Sequence, residues 1–145
     1  MKTPCFDRAL DLARRRHAGQ LDKAGQPYIG HPERVASGFE DDFLKTVAIL
    51  HDLVEDTETT LTEIEQEFGH EVAAEVDALT RRGGEVYMDY VKRCAGRPAA
   101  RQVKKADLKD NLDLSRLPEV LAQDIHRVER YREAMEFLLR WEGPQ

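Results

Sequence analysis

The chain has 145 residues, of which 41% are hydrophobic and 34% are charged, which suits the core and the soluble surface of one ordinary domain. Its net charge of −6 argues against a general nucleic-acid-binding surface, although local positive charge could still bind a small anion. No apolar run is long enough to cross a membrane, and Lys2 is followed by Thr, Pro and Cys rather than by the apolar run of a secretory signal. The two cysteines, Cys5 and Cys94, lie far apart, so we expect a reduced cytoplasmic protein without a disulfide framework or a zinc-thiolate site.

The first part of the chain predicts two helices joined by a glycine-rich loop. The helix over 6–17 has an apolar stripe and ends in three arginines, where cations favour the helix dipole. The loop HAGQLDKAGQPYIGHP ends in His31-Pro32. Because a residue before proline is usually extended, we expect His31 in extended backbone at the start of a short helix over 32–38.

A central helix is predicted over residues 41–54. Its apolar residues occupy nearly the whole circumference, which indicates burial, yet His51-Asp52 lies within it and Glu55-Asp56 follows one turn later. Four ionisable groups so close together are costly to bury unless something pairs with them. A divalent metal ion would satisfy them.

Helices also account for the rest of the chain. A capping-box pattern of Thr60 and Glu63 predicts a helix through Phe68, which Gly69 ends. Further helices are predicted over 71–80, 86–94, 99–112 and 117–141. With no convincing strand, repeat or second domain, the sequence predicts a single all-α domain, residues 1–145, of seven or eight short helices.

His31, His51, Asp52 and Asp107 are the candidate metal ligands. Adjacent residues such as His51 and Asp52 point about 100° apart on a helix, but both can reach an ion beside a helix end. Mixed imidazole and carboxylate ligands suit a divalent ion, and this set would leave positions open for water or a substrate oxygen, as metal-assisted hydrolysis requires. A His-Asp pair taken alone is better explained as a helix-end histidine beside a solvated aspartate, and only agreement among separated segments favours a metal site.

Four separated segments together resemble a known family. HAGQLDKAGQPYIGHP, ILHDLVEDT, the EFG turn and VKKADLKDN resemble, in that order, the HD-superfamily hydrolase domain of the RelA/SpoT alarmone synthetase–hydrolases, and more closely their small stand-alone Mesh1-like relatives. The likeness covers about residues 6–139. It implies an HD-domain bundle, a manganese ion (Mn²⁺) held by the four candidate ligands, and Glu55 and Asp56 as the catalytic carboxylates that position and activate the attacking water.

The resemblance also implies substrate contacts. Lys23 matches a phosphate-binding lysine, Asn111 an asparagine that contacts nucleotide, and Arg127 with Tyr131 a phosphate-binding RxxxY pattern. An arginine fork and a tyrosine hydroxyl at i and i+4 suit phosphate oxygens. A solvated loop lysine, a surface asparagine and two ordinary residues of an amphipathic helix are the structural alternatives.

Two positions depart from the family pattern. Asp22 stands where the relatives usually carry an arginine that stacks on guanine, and Leu114 replaces a polar residue. An acid cannot form that cation–π contact and repels phosphates. Both changes affect recognition of the base rather than the metal chemistry.

The leading hypothesis is a cytoplasmic, manganese-dependent phosphohydrolase that removes pyrophosphate from the 3′ position of guanosine 3′,5′-bis(diphosphate). Asp22 motivates an alternative, in which another nucleotide or a phosphomonoester is the substrate. A third hypothesis is a non-catalytic module that binds a nucleotide. In each case the expected partner is a small phosphorylated nucleotide, not a nucleic acid or a membrane, and the sequence leaves the oligomeric state open.

Overall fold

The protein is seen here in a computed structural model that describes residues 5–141 and has, within them, nine α-helices and no β-strand. The helices are α1 (Cys5–Arg16), α2 (Gly30–Ser37), α3 (Asp42–Leu50), α4 (Leu53–Asp56), α5 (Leu61–Phe68), α6 (His70–Ala78), α7 (Tyr87–Ala95), α8 (Pro98–Asn111) and α9 (Ala122–Arg140). Because α4 is only one turn of 4 residues, the expected all-α bundle of seven or eight helices is confirmed. The expectation of one domain over 1–145 extends beyond the described residues at both ends and stays a prediction. Among the helices described, none has the length and apolar character needed to cross a bilayer.

The other helices pack around α3. Its last four residues, Val47 to Leu50, have 0% of their surface exposed. Since apolar side chains lie all round this helix, it can pack against α1, α2, α6 and α8 at once. The core therefore fixes the carboxyl end of α3, where the His-Asp pair follows.

The central helix is shorter than the expected 41–54. It begins after Asp41, whose carboxylate accepts a hydrogen bond from the Leu44 N–H at 2.9 Å, and it ends at Leu50. His51 and Asp52 form a turn, and α4 starts only at Leu53. The His-Asp pair is thus a break between two helices rather than the interior of one.

His31 lies inside α2, so the expectation of extended backbone at this residue is wrong. The Gly30 and His31 N–H groups donate to the carbonyls of Pro27 and Tyr28 at 3.2 and 3.0 Å, so the chain is already turning before Pro32. Proline has no N–H to lose in the first turn of a helix, where that group has no partner within the helix. The steric effect of proline on its predecessor is therefore overridden.

The last helix begins five residues later than its expected start at 117. The Asp124 carboxylate accepts a hydrogen bond from the Leu121 N–H at 2.8 Å, which caps α9 there and leaves residues 113–121 as an irregular segment. The cap expected at Thr60 is half formed. Its hydroxyl accepts from the Glu63 N–H at 3.1 Å, but the Glu63 carboxylate binds Arg16 instead of returning the bond.

Candidate metal centre

The four candidate ligands converge at one point of the molecule. One ligand atom from each of His31, His51, Asp52 and Asp107 lies within 4.8 Å of all the others. The Asp107 Oδ1 atom is 2.8 Å from His31 Nε2 and 3.2 Å from His51 Nε2. The Asp52 Oδ2 atom is 3.6 and 3.3 Å from the same two nitrogens. Segments up to 76 residues apart in sequence therefore bring two imidazoles and two carboxylates together.

These distances fit a divalent ion. Imidazole nitrogens and carboxylate oxygens bind such ions at about 2.0–2.2 Å, so neighbouring ligand atoms lie roughly 3 Å apart and opposite ones roughly 4.4 Å apart. The observed separations of 2.8–3.6 Å, within a maximum of 4.8 Å, span that range. The donor set of two nitrogens and two oxygens suits borderline and hard divalent metals.

The break between α3 and α4 lets two adjacent residues face the same point. On a continuous helix His51 and Asp52 would diverge by about 100°. In the turn, Asp52 adopts φ −98° and ψ −5° as the first boundary residue of α4, and its Oδ2 atom comes within 3.3 Å of His51 Nε2. The backbone of this turn thus orients two of the four candidate ligands, His51 and Asp52, towards the same point.

The second nitrogen of each histidine is already engaged. His51 Nδ1 lies 2.6 Å from the Ala48 carbonyl oxygen, and His31 Nδ1 lies 2.7 Å from Asp110 Oδ2. An oxygen acceptor at Nδ1 favours a proton on that nitrogen. Nε2 of each ring is then the nitrogen that would lose its proton to bind an ion, and the acceptor at Nδ1 is the usual support of metal-binding histidines.

A buried lysine balances the charge of Asp107. The Lys104 Nζ atom donates to Asp107 Oδ2 at 2.9 Å, and both residues are buried. Burial opposes ionisation of Asp107, but the ammonium of Lys104 and the two histidines hold the pKa of that carboxyl well below its usual range. Burial likewise opposes a charge on His31, yet Asp107 and Asp110 raise its pKa to about 10.

Three residues of this centre, Tyr28, Lys104 and Asp110, are absent from the sequence-based site. The Tyr28 hydroxyl donates to Asp52 Oδ2 at 2.6 Å. Lys104 and Asp110 stand three residues before and after Asp107, a helical spacing visible in KKADLKDN that could have identified them as its neighbours. No local pattern points to the contact between Tyr28 and Asp52.

A cleft of about 370 Å³ opens beside His31 and contains all four residues expected to contact substrate. These are Lys23, Asn111, Arg127 and Tyr131. The Asn111 amide also donates to Asp107 Oδ1 at 3.3 Å, so it links the cleft to the ligand cluster. The cleft is therefore the surface from which a substrate can reach the candidate metal centre.

Glu55 and Asp56 do not line this cleft. The Glu55 carboxylate accepts a short hydrogen bond from the Arg81 backbone N–H, in the loop after α6. For Asp56, burial and the nearby charge of Asp52 raise the pKa; burial also raises that of Glu55. The structure thus brings the metal ligands together but holds one member of the expected catalytic pair against a neighbouring loop.

Both departures from the family pattern lie in the cleft. Asp22 and Leu114 line it. The Asp22 Oδ1 atom accepts hydrogen bonds from the Ala24 and Gln26 N–H groups, each at 2.9 Å, in a turn where Gly25 adopts φ +82°. Asp22 therefore also stabilises the loop that carries Lys23.

Comparison with known proteins is consistent with this geometry. A family model described as HD domain matches residues 9–111. A probable GTP pyrophosphokinase of Mycobacterium leprae is 37% identical over 118 residues, which cover 72% of this chain and 15% of that protein. A guanosine-3′,5′-bis(diphosphate) 3′-pyrophosphohydrolase of Aquifex aeolicus is 35% identical over 120 residues, 74% of this chain and 17% of that protein. The chain therefore spans less than a fifth of these two long relatives.

A shorter relative matches over most of its length. The guanosine-3′,5′-bis(diphosphate) 3′-pyrophosphohydrolase MESH1 of Homo sapiens is 38% identical over 140 residues, 86% of this chain and 77% of that protein. A solved structure described as a metazoan orthologue of SpoT that hydrolyses ppGpp superposes with a TM-score of 0.80, over 97% of this chain and 88% of that one. At 24% identity this superposition establishes the shared fold.

Proposed function

Because the chain belongs to the HD-domain family, we propose that it is a manganese-dependent phosphohydrolase that cleaves the 3′-pyrophosphate from guanosine 3′,5′-bis(diphosphate). Its human relative MESH1 carries that activity in its name and matches along most of both chains. The products would be guanosine diphosphate and pyrophosphate. The cytoplasmic localisation expected from the sequence stays a prediction.

The main support for the proposal is that the cluster of candidate metal ligands adjoins a cleft lined by lysine and arginine side chains. His31 belongs to both, since its Nε2 atom faces Asp107 while the residue lines the cleft. A divalent ion held by His31, His51, Asp52 and Asp107 would polarise a phosphoryl group and lower the pKa of water. A phosphate bound in the cleft would then lie beside the residues that hold this ion.

The chain's own residues supply binding, orientation and proton transfer. Lys23, Arg127 and Tyr131 would bind phosphate oxygens, and Asn111 would hold the ribose. Asp56 and Glu55 would accept and release the proton of the attacking water, and burial raises the pKa of both, which favours that task near neutral pH. In Glu55 the Arg81 N–H occupies Oε1, so Oε2 would be the oxygen that acts on the water.

The test is incubation of the purified protein with guanosine 3′,5′-bis(diphosphate) and manganese, with chromatographic detection of both products. Asp107→Asn removes a ligand charge, while Asp89→Asn changes an exposed carboxylate on α7, outside the cleft, and serves as its matched control. We expect turnover by the unmodified protein and by Asp89→Asn but not by Asp107→Asn. Equal rates for the two variants, or no turnover by metal-loaded protein, would refute the proposal.

A second candidate function keeps the chemistry and changes the substrate. Asp22 presents a carboxylate in the cleft where the relatives usually have an arginine that stacks on guanine, so that contact with the base is lost. Other nucleotides and phosphomonoesters are then the substrates to test. Phosphate or pyrophosphate release from a panel of such compounds, faster than from guanosine 3′,5′-bis(diphosphate), would favour this version.

The third possibility, a module that binds a nucleotide without cleaving it, is distinguished by the same assays. It predicts saturable nucleotide binding with no product after long incubation in manganese. The presence of every residue of the expected ligand set and of both carboxylates argues against it. Any turnover that Asp107→Asn abolishes would exclude it.

A further inference from the structure

The arginines that line the cleft are already neutralised by carboxylates of the chain. Arg34 forms a two-point ion pair with Asp110, and Arg127 is bound to the buried carboxylate of Asp124. The third, Arg116, lies 3.2 Å from Asp113 and 3.4 Å from Asp110. Each of these arginines must give up or share its carboxylate to bind a phosphate, which reduces the affinity that it can add to phosphate binding.

Arg127 has a structural task in addition. Asp124 accepts hydrogen bonds both from the Leu121 N–H and from Arg127, so the ion pair closes the first turn of α9. The position of Arg127 in the cleft is thereby fixed, but its charge is largely neutralised by the buried carboxylate of Asp124. The cleft needs another source of positive charge to hold a substrate with several phosphates.

Two cations near the cleft are not paired in this way. Among residues 5–141, neither Lys23 nor Arg130 forms an ion pair with a carboxylate, whereas the three cleft arginines do. Arg130 lies on α9 three residues after Arg127, on the same side of the helix. Its Cζ atom stands 4.7 Å from the ring centre of Tyr87 and 5.6 Å from that of Tyr131, which lines the cleft.

Lys23, which lines the cleft, and Arg130, which stacks on Tyr131 of its wall, are therefore two cations at this edge that form no ion pair among residues 5–141. Partial burial, and after it the charges of Arg127 and Arg130, lower the pKa of Lys23. Like charges repel, so placing Lys23 of the loop near the arginines of α9 costs free energy. A bound anion would offset this repulsion. The stacking of Arg130 on two tyrosine rings holds its guanidinium in place before any anion arrives.

We propose that Arg130 is a phosphate-binding residue of the cleft and that it forms, with Lys23 and the Tyr131 hydroxyl, the subsite for the phosphate groups of the substrate. The guanidinium fork suits two phosphate oxygens at once. Arg127 contributes less, because it remains bound to Asp124. This inference rests on the proposed phosphohydrolase function for the identity of the ligand class.

Binding of inorganic pyrophosphate tests the subsite without any need for turnover. Titration calorimetry in manganese buffer compares the unmodified protein with Arg130→Gln and with Arg132→Gln, an exposed arginine two residues along α9 and on its other side. Both variants lose one charge. We expect Arg130→Gln to weaken pyrophosphate binding roughly tenfold, as for one charge-assisted contact, and Arg132→Gln to change it less than about twofold. Arg130→Lys should recover part of the loss, since it restores the charge without the fork.

The outcomes separate the subsite from the reaction. Pyrophosphate binding that depends on Arg130, in a protein that does not cleave guanosine 3′,5′-bis(diphosphate), would support the subsite and refute the proposed function. If the protein cleaves that substrate and Arg130→Gln leaves its KM unchanged, the function stands and the inference falls. No pyrophosphate binding by the unmodified protein, or equal losses in Arg130→Gln and Arg132→Gln, would also overturn the inference.

Discussion

The Lys104 Nζ atom lies 2.9 Å from Asp107 Oδ2, while Asp107 Oδ1 faces both histidines of the ligand cluster. The two oxygens of the Asp107 carboxylate thus contact different partners. The ammonium sits 4.9 Å from the ring centre of Tyr90 and 5.6 Å from that of Tyr87, so it is enclosed by aromatic rings rather than by water. Lys104 therefore fixes the orientation of a ligand without occupying a ligand position itself.

Replacing Lys104 should destabilise the metal-free protein more than the manganese-loaded protein. Lys104→Met removes the cation from a buried pair, which costs about 3 kcal/mol when a charge is left without its partner. Manganese would compensate the charge of Asp107, so the loss should fall below about 1.5 kcal/mol at saturating metal. Urea unfolding of the variant with and without manganese measures both values.

Lys109→Met is the matched control for this prediction, because Lys109 lies on the same helix and is exposed. Its free energy of unfolding should change by less than about 0.5 kcal/mol in either condition. A loss in Lys104→Met that manganese does not reduce would mean that the lysine supports packing alone.

The sequence predicts the fold well where a pattern is strong and local. The all-round apolar surface of α3 identifies a buried helix, and the cap at Thr60 identifies the start of α5. It fails where hydrogen bonds and packing in the folded chain override a local tendency. The helix break at His51 and Asp52 and the helical backbone at His31 both contradict the local rule, and both lie at the candidate metal centre.

The ligand set was accessible from sequence only through several motifs taken together. A His-Asp pair says nothing about which distant residues meet it, and His31 and Asp107 are 76 positions apart. Contacts such as the Arg81 N–H with Glu55, across 26 positions, leave no periodic signal in the sequence. The neutralisation of the cleft arginines likewise depends on tertiary packing, which composition cannot reveal.

Asp110 should strengthen metal binding without touching the ion. Its Oδ2 atom lies 2.7 Å from His31 Nδ1, and a carboxylate in that position orients the ring and makes its other nitrogen a better donor. Asp110→Asn should therefore weaken manganese binding about 10- to 100-fold, as is usual when such a supporting residue is lost. Titration of metal-free protein followed by electron paramagnetic resonance of free manganese measures the change.

Asp113→Asn provides the comparison for Asp110→Asn. Asp113 pairs with Arg116 at 3.2 Å, as Asp110 pairs with Arg34 and Arg116, but it makes no contact with His31. Its manganese affinity should stay within about twofold of the unmodified protein, since exposed ion pairs contribute little. Equal affinities for the two variants would show that the contact to His31 does not support the metal.

Cys94 should make the stability of the protein depend on pH in the alkaline range. Its side chain is fully buried, and burial raises the pKa of the thiol to about 11, from about 9 when the chain is unfolded. The folded state thus holds this proton more tightly than the unfolded state. The resulting stability is complete below about pH 9 and is lost as the pH rises towards 11.

The measurement is the difference in unfolding free energy between the unmodified protein and Cys94→Ala at pH 8 and at pH 11. Removing the sulfur costs stability at both values, but only the unmodified protein should lose up to about 3 kcal/mol between them through this group. Cys5→Ala is the control, because Cys5 is only partly buried. Parallel pH profiles for the unmodified protein and Cys94→Ala would contradict the assignment.

Asp22 offers a way to separate charge from loop structure in substrate selection. Its Oδ1 atom holds the Ala24 and Gln26 N–H groups, and an asparagine side-chain oxygen can accept the same two bonds. Asp22→Asn should therefore keep the loop and remove only the negative charge. If that charge opposes a phosphorylated nucleotide in the cleft, the KM for guanosine 3′,5′-bis(diphosphate) should fall about three- to tenfold at low salt, and the effect should shrink as salt screens the charge.

Asp22→Ala completes this comparison, because it removes both the charge and the two hydrogen bonds. It should be less stable than Asp22→Asn, by about 1 kcal/mol, and should gain less affinity because Lys23 is no longer held in place. Steady-state kinetics of both variants at two salt concentrations distinguish the effects. An unchanged KM in Asp22→Asn would show that Asp22 acts only through its hydrogen bonds to the loop.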